Sequence, residues 1–360
     1  MTTATAPRTN RHLLGLRGMA PGDLRELLAL ARTFRARIGQ NPAALQTGIV
    51  GDELKGRVIA NLFFEDSTRT RVSFSVAARR LGADIIDLSS VGSSTNKGET
   101  VADTAANIAA MGVDGIVIRH KSSGAAHMVV KALEALQQPL VGPERVGSLR
   151  HEAHLSKPCS VINAGDGRHE HPTQGLLDIY TVAEAFDRLS NFDLSGLTVG
   201  IVGDIGSSRV ARSGIAGFTA LGARVICIGP PSLVPGAIRS LGCEVSHDLD
   251  AVLGELDVVN VLRIQFERHD GGPASNKADN APAAKSSNAI ASLREYAEFF
   301  ALHDERARRL KPGAIIMHPG PINRGVELTS AVADSGRSVV LRQVSHGVAV
   351  RMAAMALCIG

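Results

Sequence analysis

Aromatic residues are scarce in this chain of 360 residues, which contains no tryptophan and two tyrosines. Proteins that bind nucleic acids commonly stack bases on aromatic rings beside blocks of basic residues, and no such block occurs here. The formal net charge of +4 is also small for this length. The composition therefore predicts no nucleic-acid partner.

Cysteine is also rare, with four residues and no C-x-x-C pair. This pattern argues against a disulfide framework and a zinc knuckle, and it predicts a reducing compartment. No apolar run approaches the roughly 18 residues that a membrane span needs, and the first residues lack the apolar segment of a secretory signal. We therefore expect a cytoplasmic protein without membrane attachment.

Apolar β-rich runs alternate with helical patterns in two successive series. Such alternation predicts an α/β fold with parallel sheets and right-handed crossovers, and the chain length suits two domains. Ligands of such sheets bind outside the carboxyl ends of the strands. The predicted strands are 57–64, 84–88, 113–118 and 159–163 in the first series, and 197–202, 224–228, 258–262 and 314–317 in the second.

A turn rich in hydroxyl and guanidinium groups follows the first predicted strand. It reads Ser67-Thr68-Arg69-Thr70-Arg71 and leads into a helical pattern, with Ser67 at the expected N-cap. A helix N-terminus offers unpaired N–H groups and a partial positive charge, which favour phosphate. Serine and threonine could merely cap the helix. The full run directly after a strand favours a phosphate site.

A second polar turn, residues 163–174, separates a strand from a helix predicted over 175–186. His171 and Gln174 stand three residues apart and can contact the same ligand. His169 and His171 could instead hold a metal ion with Cys159, but this set lacks ligands at a characteristic spacing, so we predict no metal. A purely structural, hydrogen-bonded His171 is the other alternative.

Three further polar turns follow strands of the second series. The turn that ends at Arg209 lacks the G-x-G-x-x-G spacing, and the next strand ends without an acidic residue, so we predict no dinucleotide cofactor. Arg209, and Arg263 together with Gln265, can bind a carboxylate, although Arg263 could also be a solvated loop residue. Pro319 and Gly320 form a rigid turn whose carbonyl groups would suit an amino group.

Taken together, these motifs resemble those of the aspartate/ornithine carbamoyltransferase family. They occur in the same order and extend over residues 63–325. The resemblance implies two doubly wound α/β domains with an active site in the interdomain cleft. Residues 1–165, with a C-terminal helix at about 346–360, would bind carbamoyl phosphate, and residues 166–345 would bind aspartate. The implied reaction transfers the carbamoyl group to L-aspartate without a cofactor, as in de novo pyrimidine biosynthesis.

The same resemblance implies a role for individual residues. Those implied in catalysis are Arg69, Thr70, Arg119 and His171. Those implied in carbamoyl phosphate binding are Ser67, Thr68, Arg69, Thr70, Arg119, His171, Gln174, Pro319 and Gly320. Those implied in aspartate binding are Lys97, Arg209, Arg263 and Gln265. Ser93 and Lys97 match a loop that reaches the site from the neighbouring subunit of a homotrimer.

The ornithine branch of the family is the nearest alternative. That branch carries a Ser-Met-Gly element and a His-Cys-Leu-Pro run, where this chain has Arg263-Ile264-Gln265 and His318-Pro319-Gly320-Pro321. An acidic second substrate needs arginine, which favours aspartate. A non-catalytic anion-binding assembly subunit is a second alternative.

Two segments of the chain depart from the family pattern. Residues 140–155 and 270–288 look like insertions relative to the family pattern, and the second, poor in large apolar residues, is expected to be a mobile loop. The homotrimer could assemble further with a regulatory chain or a dihydroorotase-like protein.

Overall fold

The computed structural model of the chain describes residues 12–40, 48–89, 99–137, 158–264 and 293–360. Contacts divide it into a first unit, Met1–Leu177 with Ser345–Gly360, and a second unit, Asp178–Val344. Each unit contains a five-stranded sheet in which every pair of strands is parallel. The prediction of an α/β fold with two parallel sheets is confirmed.

The strands within the described ranges are β1 (His12–Leu13), β2 (Val58–Phe63), β3 (Asp84–Ser89), β4 (Gly115–His120), β5 (Ser160–Asp166), β6 (Thr198–Val202), β7 (Arg224–Ile228), β8 (Glu244–Ser246), β9 (Val258–Val261) and β10 (Ile315–Met317). The helices there are α1 (Pro21–Gln40), α2 (Thr68–Arg80), α3 (Val101–Ala110), α4 (Ala125–Gln137), α5 (Pro172–Ala185), α6 (Arg209–Ala220), α7 (Leu249–Val252), α8 (Leu293–Phe300), α9 (Asp304–Arg308), α10 (Ser330–Ala333) and α11 (Val340–Ile359). Two 3₁₀ helices span Gly236–Leu241 and Leu253–Glu255.

The first sheet has the strand order β1-β5-β4-β2-β3. The chain moves outward from β2 to β3 and then returns to place β4 on the other side of β2. Helical crossovers bury the central strands, which explains their nearly continuous apolar runs, and Leu62, Ile116 and Val161 are at most 1% exposed. The order reverses between β2 and β4, and such a reversal opens a ligand crevice at the carboxyl ends of the strands.

The second sheet repeats this arrangement, with the order β10-β9-β6-β7-β8. The chain runs outward from β6 through β7 to β8 and then returns to pair β9 with the other side of β6. Val202 is in register with Val261, and Asn260 with Met317, so the carboxyl ends of β6, β9 and β10 are neighbours. The order here reverses between β6 and β9, which places the second expected crevice there.

Some element limits differ from those that the sequence predicted. Helix α5 begins at Pro172 instead of residue 175, because proline fits the first turn, where its missing N–H is not needed. The last helix begins at Val340 instead of about residue 346. Of the helices in the described ranges, none has the length and apolar character needed to cross a membrane.

Candidate functional site

The N-terminus of α2 presents hydroxyl and guanidinium groups at the carboxyl end of β2. Ser67 occupies the N-cap, and its side chain makes no capping hydrogen bond. The first turn contains no acidic residue; Thr68 and Arg69 are exposed there, and Thr70 is 9% exposed. The partial positive charge of the helix end is therefore reinforced by side-chain donors, an arrangement suited to phosphate.

Arg119 lies near the end of β4, on the other side of the strand-order reversal. Its Nη1 donates to the Ala164 carbonyl at 3.2 Å, and its Nη2 lies 3.4 Å from Glu65 Oε1. The Arg119 carbonyl accepts from the N–H of Phe64 at 2.9 Å. These contacts hold the guanidinium between the end of β5 and the segment that leads from β2 into α2.

A buried carboxylate, Asp166, fixes the turn that follows β5. Its Oδ1 accepts from Asn163 Nδ2 at 2.8 Å and from His169 Nδ1 at 3.0 Å, and its Oδ2 accepts from the Gly124 N–H at 2.7 Å. Burial alone would raise the pKa of Asp166, but the hydrogen bonds from His169 and Asn163 outweigh it and hold this pKa below its usual range. The turn is therefore fixed around an ionised carboxylate.

Glu170 ties the same turn to the N-terminal segment of the first unit. Its Oε2 accepts from the Leu16 N–H at 2.7 Å and its Oε1 from the Arg17 N–H at 3.1 Å. The next residue, His171, is 4% exposed, and its carbonyl accepts from the N–H of Gln174 at 2.9 Å. His171 and Gln174 thus lie together at the start of α5, and the contacts of Asp166 and Glu170 fix the turn that precedes this helix.

A group of potential metal ligands lies between this turn and α4. The ligand atoms of His127, Asp166 and His169 lie within 4.8 Å of one another, and the two imidazole centroids are 5.2 Å apart. The sequence did not indicate this group, because His127 lies far away in α4. Cys159 is not a member of it. Both oxygens of Asp166 already accept hydrogen bonds from Asn163 and Gly124, so the geometry favours a role in holding the turn.

In the second unit, Arg209 is the first residue of α6, at the carboxyl end of β6. It is 5% exposed, and the preceding Ser208 caps the helix by accepting from the Ala211 N–H at 3.1 Å. Gly203 stands between strand and helix with φ +130, where a Cβ would lie 3.1 Å from Leu262 Cβ. Glycine therefore allows the segment after β9 to approach the end of β6 closely.

Arg263 follows Leu262 and is half-buried. The Leu262 N–H donates to the Val202 carbonyl at 2.8 Å, which continues the ladder beyond β9. The turn of Pro319 and Gly320 follows β10 on the next strand. Arg209, Arg263 and this turn thus lie at the carboxyl ends of three neighbouring strands.

Three of the predicted site residues lie outside the described residues: Ser93, Lys97 and Gln265. The two predicted insertions, 140–155 and 270–288, also lie outside the described ranges. The roles implied for these residues stay predictions.

Comparisons with known proteins identify the family of this chain. Residues 11–184 match the aspartate/ornithine carbamoyltransferase, carbamoyl-P binding domain family, and residues 195–358 match the aspartate/ornithine carbamoyltransferase, Asp/Orn binding domain family. The aspartate carbamoyltransferase catalytic subunit of Myxococcus xanthus is 46% identical over 348 residues, with coverage of 97% of this chain and 99% of the relative. The same subunit of Gluconacetobacter diazotrophicus is 45% identical, with coverage of 98% and 94%.

Solved structures show the same fold. Aspartate transcarbamoylase from Trypanosoma cruzi, in complex with carbamoyl aspartate and phosphate, superposes with a TM-score of 0.75 at 26% identity, covering 97% of this chain and 96% of that one. Ornithine carbamoyltransferase from Thermus thermophilus gives a TM-score of 0.73 at 23% identity, covering 98% of this chain and 100% of that one. With both halves of the chain matched, this protein belongs to the aspartate/ornithine carbamoyltransferase family.

Proposed function

We propose that this protein transfers the carbamoyl group of carbamoyl phosphate to the amino group of L-aspartate, giving N-carbamoyl-L-aspartate and phosphate. The observation that carries the proposal is the grouping of three features at the carboxyl ends of β2, β4 and β5. These are the cationic N-terminus of α2, the guanidinium of Arg119 and the turn of His171. The high identity to aspartate carbamoyltransferase catalytic subunits along the chain supports the same conclusion.

The chemistry of the first unit suits an acyl phosphate. Ser67, Thr68 and Arg69 would bind the phosphate oxygens, and Arg119 would bridge the phosphate and the carbonyl oxygen. Gln174 would hold the carbamoyl amino group. Charge on a phosphate is best stabilised by fixed N–H donors and guanidinium groups, which are the groups this surface offers.

Transfer would proceed by direct attack of the aspartate amine on the carbonyl carbon. Negative charge develops on the carbonyl oxygen, and donors from Thr70, Arg119 and His171 would stabilise it as an oxyanion hole does. The C–O bond to phosphate then breaks, and the departing phosphate accepts the proton of the amine. The reaction needs no covalent intermediate with the protein.

The second unit offers arginine to an acidic substrate. Arg209 and Arg263 stand at the carboxyl ends of β6 and β9, on either side of the reversal in strand order. Guanidinium groups bind the carboxylates of aspartate in a bidentate manner, and they would repel the cationic side chain of ornithine. Together with Lys97 and Gln265, they are proposed to bind aspartate.

The assembly we propose is a cyclic homotrimer of cytoplasmic subunits. Ser93 and Lys97 of one subunit would complete the site of its neighbour, as a heterologous ring interface permits. The first unit, Met1–Leu177 with Ser345–Gly360, would form the carbamoyl phosphate domain, and the second unit, Asp178–Val344, would form the aspartate domain.

A steady-state assay of the purified chain tests the proposed function. We expect N-carbamoyl-L-aspartate to form only when both substrates are present, with saturation in each. Binding of carbamoyl phosphate without turnover would instead identify a non-catalytic anion-binding subunit.

A further inference from the structure

A fully buried carboxylate, Glu327, lies in the loop that follows β10. Its exposed fraction is 0%, and its Oε1 accepts from the Asn323 N–H at 2.7 Å and from His318 Nε2 at 3.2 Å. Its Oε2 is buried and has no hydrogen-bond partner among the described residues. A buried carboxyl group with one unsatisfied oxygen is unfavourable for stability, so its presence calls for another explanation.

The hydrogen bonds of His318 fix the direction of the Glu327 contact. The N–H of Gly320 donates to His318 Nδ1 at 2.8 Å, so the ring proton must be on Nε2 and is donated to Glu327. The backbone N–H of His318 donates to Gln343 Oε1 at 2.9 Å, and Gln343 Nε2 donates to Asp178 Oδ1 at 2.9 Å. Both ring nitrogens of His318 are therefore used to hold its own loop.

One carboxylate thereby clamps both ends of the Pro319–Gly320 turn, since His318 precedes the turn and Asn323 follows it. The side chain of Asn323 extends the same network, because its Nδ2 donates to the carbonyl of Ile264 at 3.2 Å. Ile264 adjoins Arg263. The network built on Glu327 therefore reaches the segment of Arg263 after β9 and the Pro319–Gly320 turn after β10. Both have been given a role in substrate binding.

We propose that Glu327 is a positioning residue that sets the specificity for the carbamoyl group. By fixing His318 and Asn323, it aims the carbonyl groups of Pro319 and Gly320 at the carbamoyl amino group. An acyl phosphate with a methyl group in place of the amino group leaves these carbonyls without a donor and is rejected. This inference rests on the proposed function.

Two substitutions of Glu327 separate positioning from folding. Glu327→Gln keeps an oxygen that can accept from His318 and Asn323, whereas Glu327→Leu keeps the approximate size and removes the acceptor. The backbone of Glu327 is held independently, since its carbonyl accepts from the Leu302 N–H at 2.9 Å. The chain should therefore stay in place when the side chain changes.

Asp257→Leu is the matched control in the same unit. Asp257 Oδ2 accepts from the Thr198 N–H at 2.8 Å and lies 3.0 Å from Lys311 Nζ. These contacts lie at the amino ends of β6 and β9, away from the Pro319–Gly320 turn. This variant also loses a carboxylate that holds backbone, but it should leave the turn unchanged.

Calorimetry with carbamoyl phosphate and acetyl phosphate measures the specificity. We expect Glu327→Leu to reduce the preference for carbamoyl phosphate by about tenfold or more, since the carbonyls of Pro319 and Gly320 then no longer discriminate amino from methyl. Glu327→Gln and Asp257→Leu should keep the wild-type preference. An unchanged preference in Glu327→Leu, or an equal loss in Asp257→Leu, would overturn the proposal.

Hydrogen exchange without any ligand provides a readout that does not depend on activity. The amide of Gly320 should exchange faster in Glu327→Leu but not in Glu327→Gln or Asp257→Leu. Unchanged exchange in Glu327→Leu would overturn the clamp even in an active enzyme. If the Gly320 amide exchanged faster in Glu327→Leu but the wild type formed no carbamoyl aspartate, the structural role of Glu327 would be supported. The proposed function, and the specificity inferred from it, would be wrong.

Discussion

At the scale of single residues, Arg263 carries the preference for an acidic second substrate. Replacing it with alanine should raise the KM for aspartate at least about 30-fold, the lower end of the about 2–5 kcal/mol lost when one member of a buried charge pair is removed. The dissociation constant of carbamoyl phosphate should change little. Steady-state kinetics and calorimetry measure the two quantities separately.

Arg224→Ala is the control for this prediction. Arg224 stands at the start of β7, the opposite end from the proposed site, and pairs there with Glu244 and Glu255. Both variants remove one guanidinium, but this one should leave the aspartate KM unchanged. An unaltered KM in Arg263→Ala would remove Arg263 from the aspartate site.

Asp166 gives a second prediction, on stability and pH. Asp166→Asn should destabilise the protein by about 1–3 kcal/mol at pH 7, because one of the two accepting oxygens is replaced by an NH2 group that cannot accept from the donor facing it. The folded state lowers the pKa of Asp166, so its stabilisation is present above the unfolded pKa and is lost as the pH falls through the folded value. The gap should thus hold from pH 7 to about 5 and shrink below about 4.

Urea unfolding midpoints of both proteins across this pH range test the expectation, since groups that do not contact residue 166 cancel in the difference. A gap that stays constant down to the lowest pH would show that the carboxylate is not ionised in the folded turn. The electrostatic description of the His171 turn would then be wrong.

At the scale of elements, the N-terminus of α2 allows the binding of carbamoyl phosphate by Ser67 to be tested separately from helix capping. Replacing an N-cap serine with alanine ordinarily costs about 0.5–2 kcal/mol, but the Ser67 side chain makes no capping bond. Ser67→Ala should therefore leave the thermal midpoint almost unchanged while weakening carbamoyl phosphate binding about tenfold, as expected for one lost hydrogen bond to a charged group.

Asp248→Ala provides the opposite case. Asp248 caps α7 by accepting from the Ala251 N–H at 3.1 Å, so this variant should lower the thermal midpoint and keep the affinity for carbamoyl phosphate. If Ser67→Ala lowered the thermal midpoint and left the affinity for carbamoyl phosphate unchanged, as expected for Asp248→Ala, then Ser67 would stabilise the helix and not bind the substrate.

The elements that the sequence predicted correctly are those with a strong local signal. All eight predicted strands are present, because buried parallel strands are continuous apolar runs. Strands β1 and β8 were missed, since His12–Leu13 and Glu244–Ser246 are too short to show a pattern and depend on pairing with β5 and β7. Ser67 was correctly placed at the N-cap, but the lack of its side-chain bond could be seen only in the structure.

The candidate site divides in the same way. Residues near the carboxyl end of a strand or in the turn after it, such as Arg119, Arg209 and Arg263, could be selected from the sequence, because the carboxyl ends of parallel strands are where ligands bind. Glu170 and Glu327 could not. Their partners lie in segments brought together only by folding, such as Leu16 for Glu170, so no motif or spacing marks them.

At the scale of the whole molecule, the proposed trimer predicts that activity returns when two inactive variants are mixed. Homotrimers of Arg69→Ala and of Lys97→Ala should each be nearly inactive, because each variant damages all of its own sites. After dissociation and random reassembly in equal amounts, about three-quarters of the rings are mixed, and about one site in three in a mixed ring has both residues intact. Activity should return to about a quarter of wild type.

Each parent trimer, taken through the same dissociation and reassembly alone, is the control and should stay inactive. If Lys97 served the site of its own subunit, every site in the mixture would still carry one lesion. Mixing would then restore nothing, and the shared site would be excluded.

The most direct test of the proposed reaction supplies the wild-type protein with carbamoyl phosphate labelled at the carbonyl carbon and equal amounts of L-aspartate and L-ornithine. Mass spectrometry identifies which amine receives the label. We expect labelled N-carbamoyl-L-aspartate as the dominant product, because Arg263 favours an acidic substrate. Labelled citrulline as the main product, or hydrolysis of carbamoyl phosphate without transfer to either amine, would contradict it.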